Sequence, residues 1–183
     1  DGLFSLVHQL PKGTSMKFFT LKSVTALATL ALSANAFAMD VKFSDAAWDG
    51  KKIPEGQQCL NYDGKSPATP NMTISNIPAG AESLVFVYND VSNKRMQNGG
   101  HGIVEFALPE GATSIEVPRV FGHTYEVPVG IEMVAEYRSR KGEVGGAYKP
   151  PCSGGKNHLY TVDVQAWQGD SVLAETTVEM GRY

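Results

Sequence analysis

Apolar and polar residues alternate with a period of two through most of the chain beyond residue 70, the signature of half-buried β-strands. "HGIVEFAL" puts Val104, Phe106 and Leu108 on one face, and "TSIEVP" opposes Thr113, Ile115 and Val117 to Ser114 and Glu116. "HLYTVDVQAW" sets His158, Tyr160, Val162, Val164 and Ala166 against Leu159, Thr161, Asp163 and Gln165. "VLAETTVEM" aligns Val172, Ala174, Thr176, Val178 and Met180. "NMTISNI" reads as a further strand, ended by Pro78-Ala79-Gly80, and the nearly continuous apolar run "SLVFVYND" predicts a strand buried on both faces. In "VGIEMVAEYRSR", Ile131, Met133, Ala135 and Tyr137 fit a strand, while Glu136 and Arg140 would pair on a helix; the strand is preferred.

Pro and Gly punctuate every junction, and no long amphipathic helix is visible. The pattern predicts a mainly β protein, an antiparallel β-sandwich with few or no helices. No internal repeat and no linker divides it.

The first residues read differently. Met16 opens a segment with Lys17 and Lys22 followed by "SVTALATLALSANAFA", which closes on the A-x-A pattern Ala36-Phe37-Ala38. This is expected to be a signal peptide over 16–38, cleaved after Ala38 and directing the protein to the periplasm or out of the cell. Its apolar run is too short to span a bilayer as a mature helix. Residues 1–15 read as translated leader, because Lys12-Gly13 would be encoded by a sequence resembling a bacterial ribosome-binding site; the alternative is an N-terminal extension.

A mature chain of 39–183 would be one domain of ordinary core size. Cleavage would remove three of the 16 basic and one of the 19 acidic side chains, leaving 13 against 18, a net charge of −5. With no basic run and no low-complexity tract, such a surface repels nucleic acid and anionic membranes, and a nucleic-acid partner is not expected. Cys59 and Cys152 are the two cysteines. In an exported protein an even count favours a disulfide; the alternative is two buried free thiols.

The most irregular loop, "GGAYKPPCSGGKN", runs straight into His158 and Tyr160. A phosphate loop is excluded by spacing, since Pro150 and Asn157 stand where Gly and Ser or Thr are required. A nucleophile loop is suggested faintly by Cys152-Ser153-Gly154-Gly155, yet no spacing singles out a partner among His101, His123 and His158. An anion pocket fits better. A Gly/Pro loop forms no ladder, so its N–H groups can point into a concavity. His158 and Tyr160 lie two apart on a strand and so share a face, each offering a hydrogen. Lys149 and Lys156 flank them and raise the local potential.

The segment Tyr148-Lys149-Pro150-Pro151-Cys152-Ser153-Gly154-Gly155-Lys156-Asn157-His158-Leu159-Tyr160 resembles, without a gap, the Y-x-G-P-C-P-P-x-G-x-H-R-Y segment of phosphatidylethanolamine-binding proteins, which include the Raf-kinase inhibitors and exported bacterial relatives. "CLNYDGKSPATPNMTISNIPAGAESLVFVYND" and "GGHGIVEFALP" resemble two further family blocks in the same order, so the similarity runs from about Cys59 to Trp167. The resemblance implies the family's β-sandwich over 39–183 and a non-catalytic pocket without a cofactor or metal. Its ligand would be a small anion, a phosphate or carboxylate such as a phospholipid head group. It implies His158, Tyr160, His101, Asp90, Pro151 and Gly146 as pocket residues, and it brings the Cys59 and Cys152 loops together.

Several positions depart from the family. The D-P-D-A-P signature is reduced to Asn89-Asp90-Val91-Ser92-Asn93, so Asp90 corresponds only loosely to the pocket carboxylate. Gly100 and Gly102 replace two Trp residues, which predicts a wider or shallower mouth. Pro150, Ser153-Gly154 and Leu159 differ too, and the C-terminal helix of many members is missing. His101 is either a second wall of the pocket or a turn residue, and His123 is expected at the surface. The runner-up function is a secreted β-sandwich module that binds a protein or glycan with a vestigial pocket; a hydrolase using His158 is the third.

Overall fold

The computed structural model describes residues 38–183, and the leader and signal-peptide readings over 1–37 fall outside the described residues. Eight strands follow in order: β1 (Asp40–Phe43), β2 (Met72–Ser75), β3 (Ser83–Asp90), β4 (Ile103–Ala107), β5 (Ser114–Val117), β6 (Ile131–Ala135), β7 (Leu159–Gln168) and β8 (Ser171–Arg182). All pair antiparallel, in a three-stranded sheet ordered β1-β2-β5 and a five-stranded sheet ordered β6-β4-β3-β7-β8. Among the described residues the only helical pieces are 3-10 turns at Leu60–Tyr62 and Lys94–Met96, and no helix is long and apolar enough to cross a membrane.

Met72, Ile74 and Val117 of the smaller sheet meet Leu84, Phe86, Tyr88, Val104, Val162, Val164 and Ala166 of the larger one in a single buried core. These are the alternating positions of the sequence, and each fully buried large side chain contributes about 1.5–3 kcal/mol of apolar burial. β3 corrects one expectation. Leu84, Phe86 and Tyr88 are buried, but Val85 and Val87 are only half-buried. In this antiparallel sheet the outer face stays partly wet, with Glu105, Asp163 and Gln165 beside those valines.

β1 has no counterpart in the alternation beyond residue 70. It is four residues long at a sheet edge, and only Val41 and Phe43 pack on the core. β6 forms as a strand rather than a helix, with Met133 and Val134 exposed at the edge of the larger sheet. A register shift between Ile103 and Val104 offsets it from β4. Cys59 and Cys152 are disulfide-bonded, with their Cα atoms 5.2 Å apart.

Candidate functional site

The site lies where β3 ends and β7 begins. Asp90, the last residue of β3, stands opposite Tyr160 in register. His158 extends β7 on its other side, exchanging two backbone hydrogen bonds with Tyr183 just beyond β8. Period-two geometry therefore sends His158 and Tyr160 the same way, and the Asp90 carboxylate meets His158 Nδ1 at 2.7 Å. Asp90 is buried and its other oxygen accepts the Ser92 N–H, so its position is fixed from two sides. The carboxylate can only accept from Nδ1–H, which leaves His158 Nε2 with no described partner. That nitrogen becomes a donor on protonation.

Tyr160 is buried, and its hydroxyl oxygen accepts the Cys152 N–H at 3.1 Å. Burial, the largest influence, pushes its pKa to about 12, so the phenol keeps its hydrogen at neutral pH and can donate it. The first half of the loop has few N–H groups left for a ligand. Pro150 and Pro151 carry no N–H, the Lys149 N–H goes to the His101 carbonyl, and the Cys152 N–H positions Tyr160 rather than a ligand.

The two places expected for His101 are not exclusive. It sits in the turn before β4 and also lines the cavity. Its Nδ1 donates to the Lys149 carbonyl at 2.6 Å, and its ring packs edge-on against Tyr160 at 5.2 Å. Burial is the main cause that lowers its pKa to about 4, so it is neutral at physiological pH. It therefore orients Tyr160 and the loop rather than carrying charge to an anion.

Together these groups wall a cleft of about 280 Å3. The cations on its wall outnumber the carboxylates: Arg95, Arg138, Arg140, Lys149 and Lys156 face Asp90 and Glu143. Arg138 is held by the carbonyls of Arg95, Gln97 and Asn98 at 2.7, 2.8 and 3.1 Å, which staples the 93–98 segment over the site. Lys149, one of the two expected flanking cations, is buried and paired with Glu143 at 2.6 Å. Burial raises the Glu143 carboxyl, but the Lys149 hydrogen bond, the Arg140 N–H and both positive charges outweigh it and hold the pKa below the usual range. Lys156 is exposed.

The three arginines are absent from the residues expected from sequence. They come from loops whose approach depends on the sheet, and their sequence signal is the close spacing of Arg138, Arg140 and Lys141, which a search for long basic runs passes over. Gly146 and Pro151 are buried behind the loop and are not on the cleft wall. Gly146 packs on the Thr124 backbone, and the Pro151 carbonyl accepts the Cys59 N–H at 2.9 Å. His123 is not a free surface residue: it is half-buried, with Nδ1 3.3 Å from the Tyr137 hydroxyl. The two glycines do not open the mouth where they stand. A Cβ on Gly100 would lie 2.3 Å from Met96 Cα, and one on Gly102 would lie 2.0 Å from the Ala147 carbonyl oxygen, so main chain fills the space.

The His158–Asp90 pair has the form of a catalytic dyad, yet no described hydroxyl or thiol stands on its free nitrogen. Cys152 is in the disulfide, and the Ser153 hydroxyl donates to the Tyr183 carbonyl at 2.6 Å. Among the described residues no group of three or more His, Cys, Asp or Glu is placed to share a metal ion.

No family model matches the chain, and no curated protein matches it. Among solved structures, the chain is similar to a phosphatidylethanolamine-binding protein homolog from Chlamydia trachomatis, with 21% identity, 80% of this chain and 97% of that chain covered, and a TM-score of 0.49.

Proposed function

We propose that this protein binds a small anion, a phosphate or carboxylate group, without turning it over. The observation that carries the reading is the cleft wall, where five cations and two carboxylates surround a histidine whose Nδ1 is tied to Asp90. The chain as a whole has a net charge of −3, so this local excess of positive charge is a feature of the cleft and not of the surface. The Tyr160 hydroxyl would supply a directed donor beside His158, and the arginines would supply the field. Among the described residues no nucleophile stands beside His158, which favours binding over chemistry.

The test is titration calorimetry of the purified protein with inorganic phosphate, acetate and phosphoethanolamine, with His158 followed by NMR. Binding that weakens in His158→Ala by about 1–3 kcal/mol, the range for hydrogen bonds to charged groups, is the expected result. Tyr160→Phe removes one hydroxyl and should cost less. Equal affinity across these variants, or no binding at all, would leave the loop structural and favour the interaction-module reading.

The proposed location is the periplasm or the exterior. The Cys59–Cys152 bridge supports it, since disulfides persist in oxidising compartments, as does the composition of residues 16–38. Mass spectrometry of exported protein should find Met39 at the N-terminus; a product that still begins near Asp1 would refute the cleavage.

A further inference from the structure

The cleft has a neighbour. A second concavity of about 430 Å3 lies against Leu60, His123, Lys141 and Val144, and it shares Asn61, Arg140, Glu143, Lys149 and Cys152 with the first. The shared residues make the two adjoin. The second wall adds Lys141 and no further carboxylate, so the combined surface sets six cations against Asp90 and Glu143. One monoanion would leave most of that charge uncompensated.

The junction already holds an anion of the protein's own. The Glu143 carboxylate grips Lys149 Nζ at 2.6 Å and accepts the Arg140 N–H at 2.9 Å. Donors there are thus arranged to take a carboxylate-like group. Beyond the junction, His123 lines the second concavity with Nε2 buried and without a hydrogen-bond partner among the described residues. The Tyr137 hydroxyl gives its hydrogen to the Val144 carbonyl, so His123 Nδ1 is the donor to Tyr137 and Nε2 of the neutral ring is an acceptor; His123 is a reporter beside the second concavity and not a donor to the ligand.

Resting on the anion-binding reading of the first cleft, we propose that the two concavities form one site for a small linear polyanion. This ligand would carry two or more phosphate or carboxylate groups, the first against His158 and the next against Arg140 and Lys141. Glu143 is the internal occupant of the junction and exchanges with the middle of the ligand. Two linked groups gain over one because the second binds at the high effective concentration set by the first.

Calorimetry at fixed ionic strength with inorganic phosphate and tripolyphosphate tests this. Tripolyphosphate is expected to bind at least about tenfold more tightly than phosphate. Lys141→Ala, outside the first cleft, should weaken tripolyphosphate about threefold to tenfold while shifting phosphate by less than about twofold. Lys42→Ala, on β1 and on neither wall, should change neither, and the His123 ring resonances should move with tripolyphosphate but not with phosphate. If phosphate binds and tripolyphosphate gains nothing, the two-cleft site is overturned and the first-cleft reading stands. The two-cleft site is overturned equally if Lys141→Ala weakens both probes alike, or if Lys42→Ala matches it. If neither probe binds, both readings fall.

Discussion

His158 and Asp90 are 68 residues apart in sequence and 2.7 Å apart in the fold, and this contact sets which imidazole nitrogen faces the cleft. Asp90→Asn would keep the size of the side chain but replace a group that can only accept from Nδ1–H with an amide that can also donate. Phosphate affinity should fall in that variant, and an affinity equal to wild type by calorimetry would show that the pair is structural. His101 makes the opposite use of a histidine. Its folded pKa of about 4 lies below the ordinary 6.5, so the unfolded chain binds the proton more readily. Stability is therefore fully present above about pH 6.5 and is lost as pH falls toward about 4, by at most about 3 kcal/mol. Denaturant unfolding of wild type and His101→Gln across that window checks it: the variant should lose this part of the slope, and parallel slopes would refute the assignment. The pairing of His158 with Tyr160 was legible from alternation alone. Asp90 was legible only loosely, because its partner is set by strand register, and the arginines were not, because loop approach has no period.

At the scale of elements, the strands were readable wherever one face is buried and one is wet. β7 has Tyr160, Val162, Val164 and Ala166 all buried, though Thr161 on its other face is buried too. β1 was not readable, since an edge strand of four residues with two half-buried positions carries too little pattern. The turn into β4 departs from expectation for a different reason. The absence of a side chain at Gly102 suggested open space, but its φ is +109° and the Ala147 carbonyl occupies the place of a Cβ. The Gly102 carbonyl also accepts the Tyr88 N–H, so the turn cannot relax without breaking the β3–β4 ladder. Gly102→Ala should therefore destabilise the protein by about 2 kcal/mol or more, combining backbone strain with a clash. It should also weaken anion binding, since His101 and its contact to Tyr160 ride on that turn. A denaturation midpoint equal to wild type would contradict the close approach.

At the scale of the molecule, the bridge between Cys59 and Cys152 spans 93 residues and encloses β2 through β6, with β1 before it and β7 and β8 after. It ties the 3-10 turn at Leu60–Tyr62 to the loop that feeds β7, and Cys152 lies on the wall of both concavities. One covalent link thus joins the stability of the fold to the shape of the site. In the chain-entropy model a closed loop of this size stabilises the folded state by about 4–5 kcal/mol relative to the open chain. The double variant Cys59→Ala/Cys152→Ala should lose about that much in denaturant unfolding. The Cys59 N–H to Pro151 carbonyl bond at 2.9 Å and the Cys152 N–H to Tyr160 bond at 3.1 Å are main-chain donations that survive the substitution. If they suffice to hold the loop, phosphate should bind the folded fraction of the variant with an affinity close to wild type. If the bridge itself holds the wall, affinity should fall while His158 and Tyr160 are intact. Calorimetry under conditions where the variant stays folded separates the two. An unfolding midpoint that does not move at all would show that the sandwich core, and not the bridge, carries the stability of this protein.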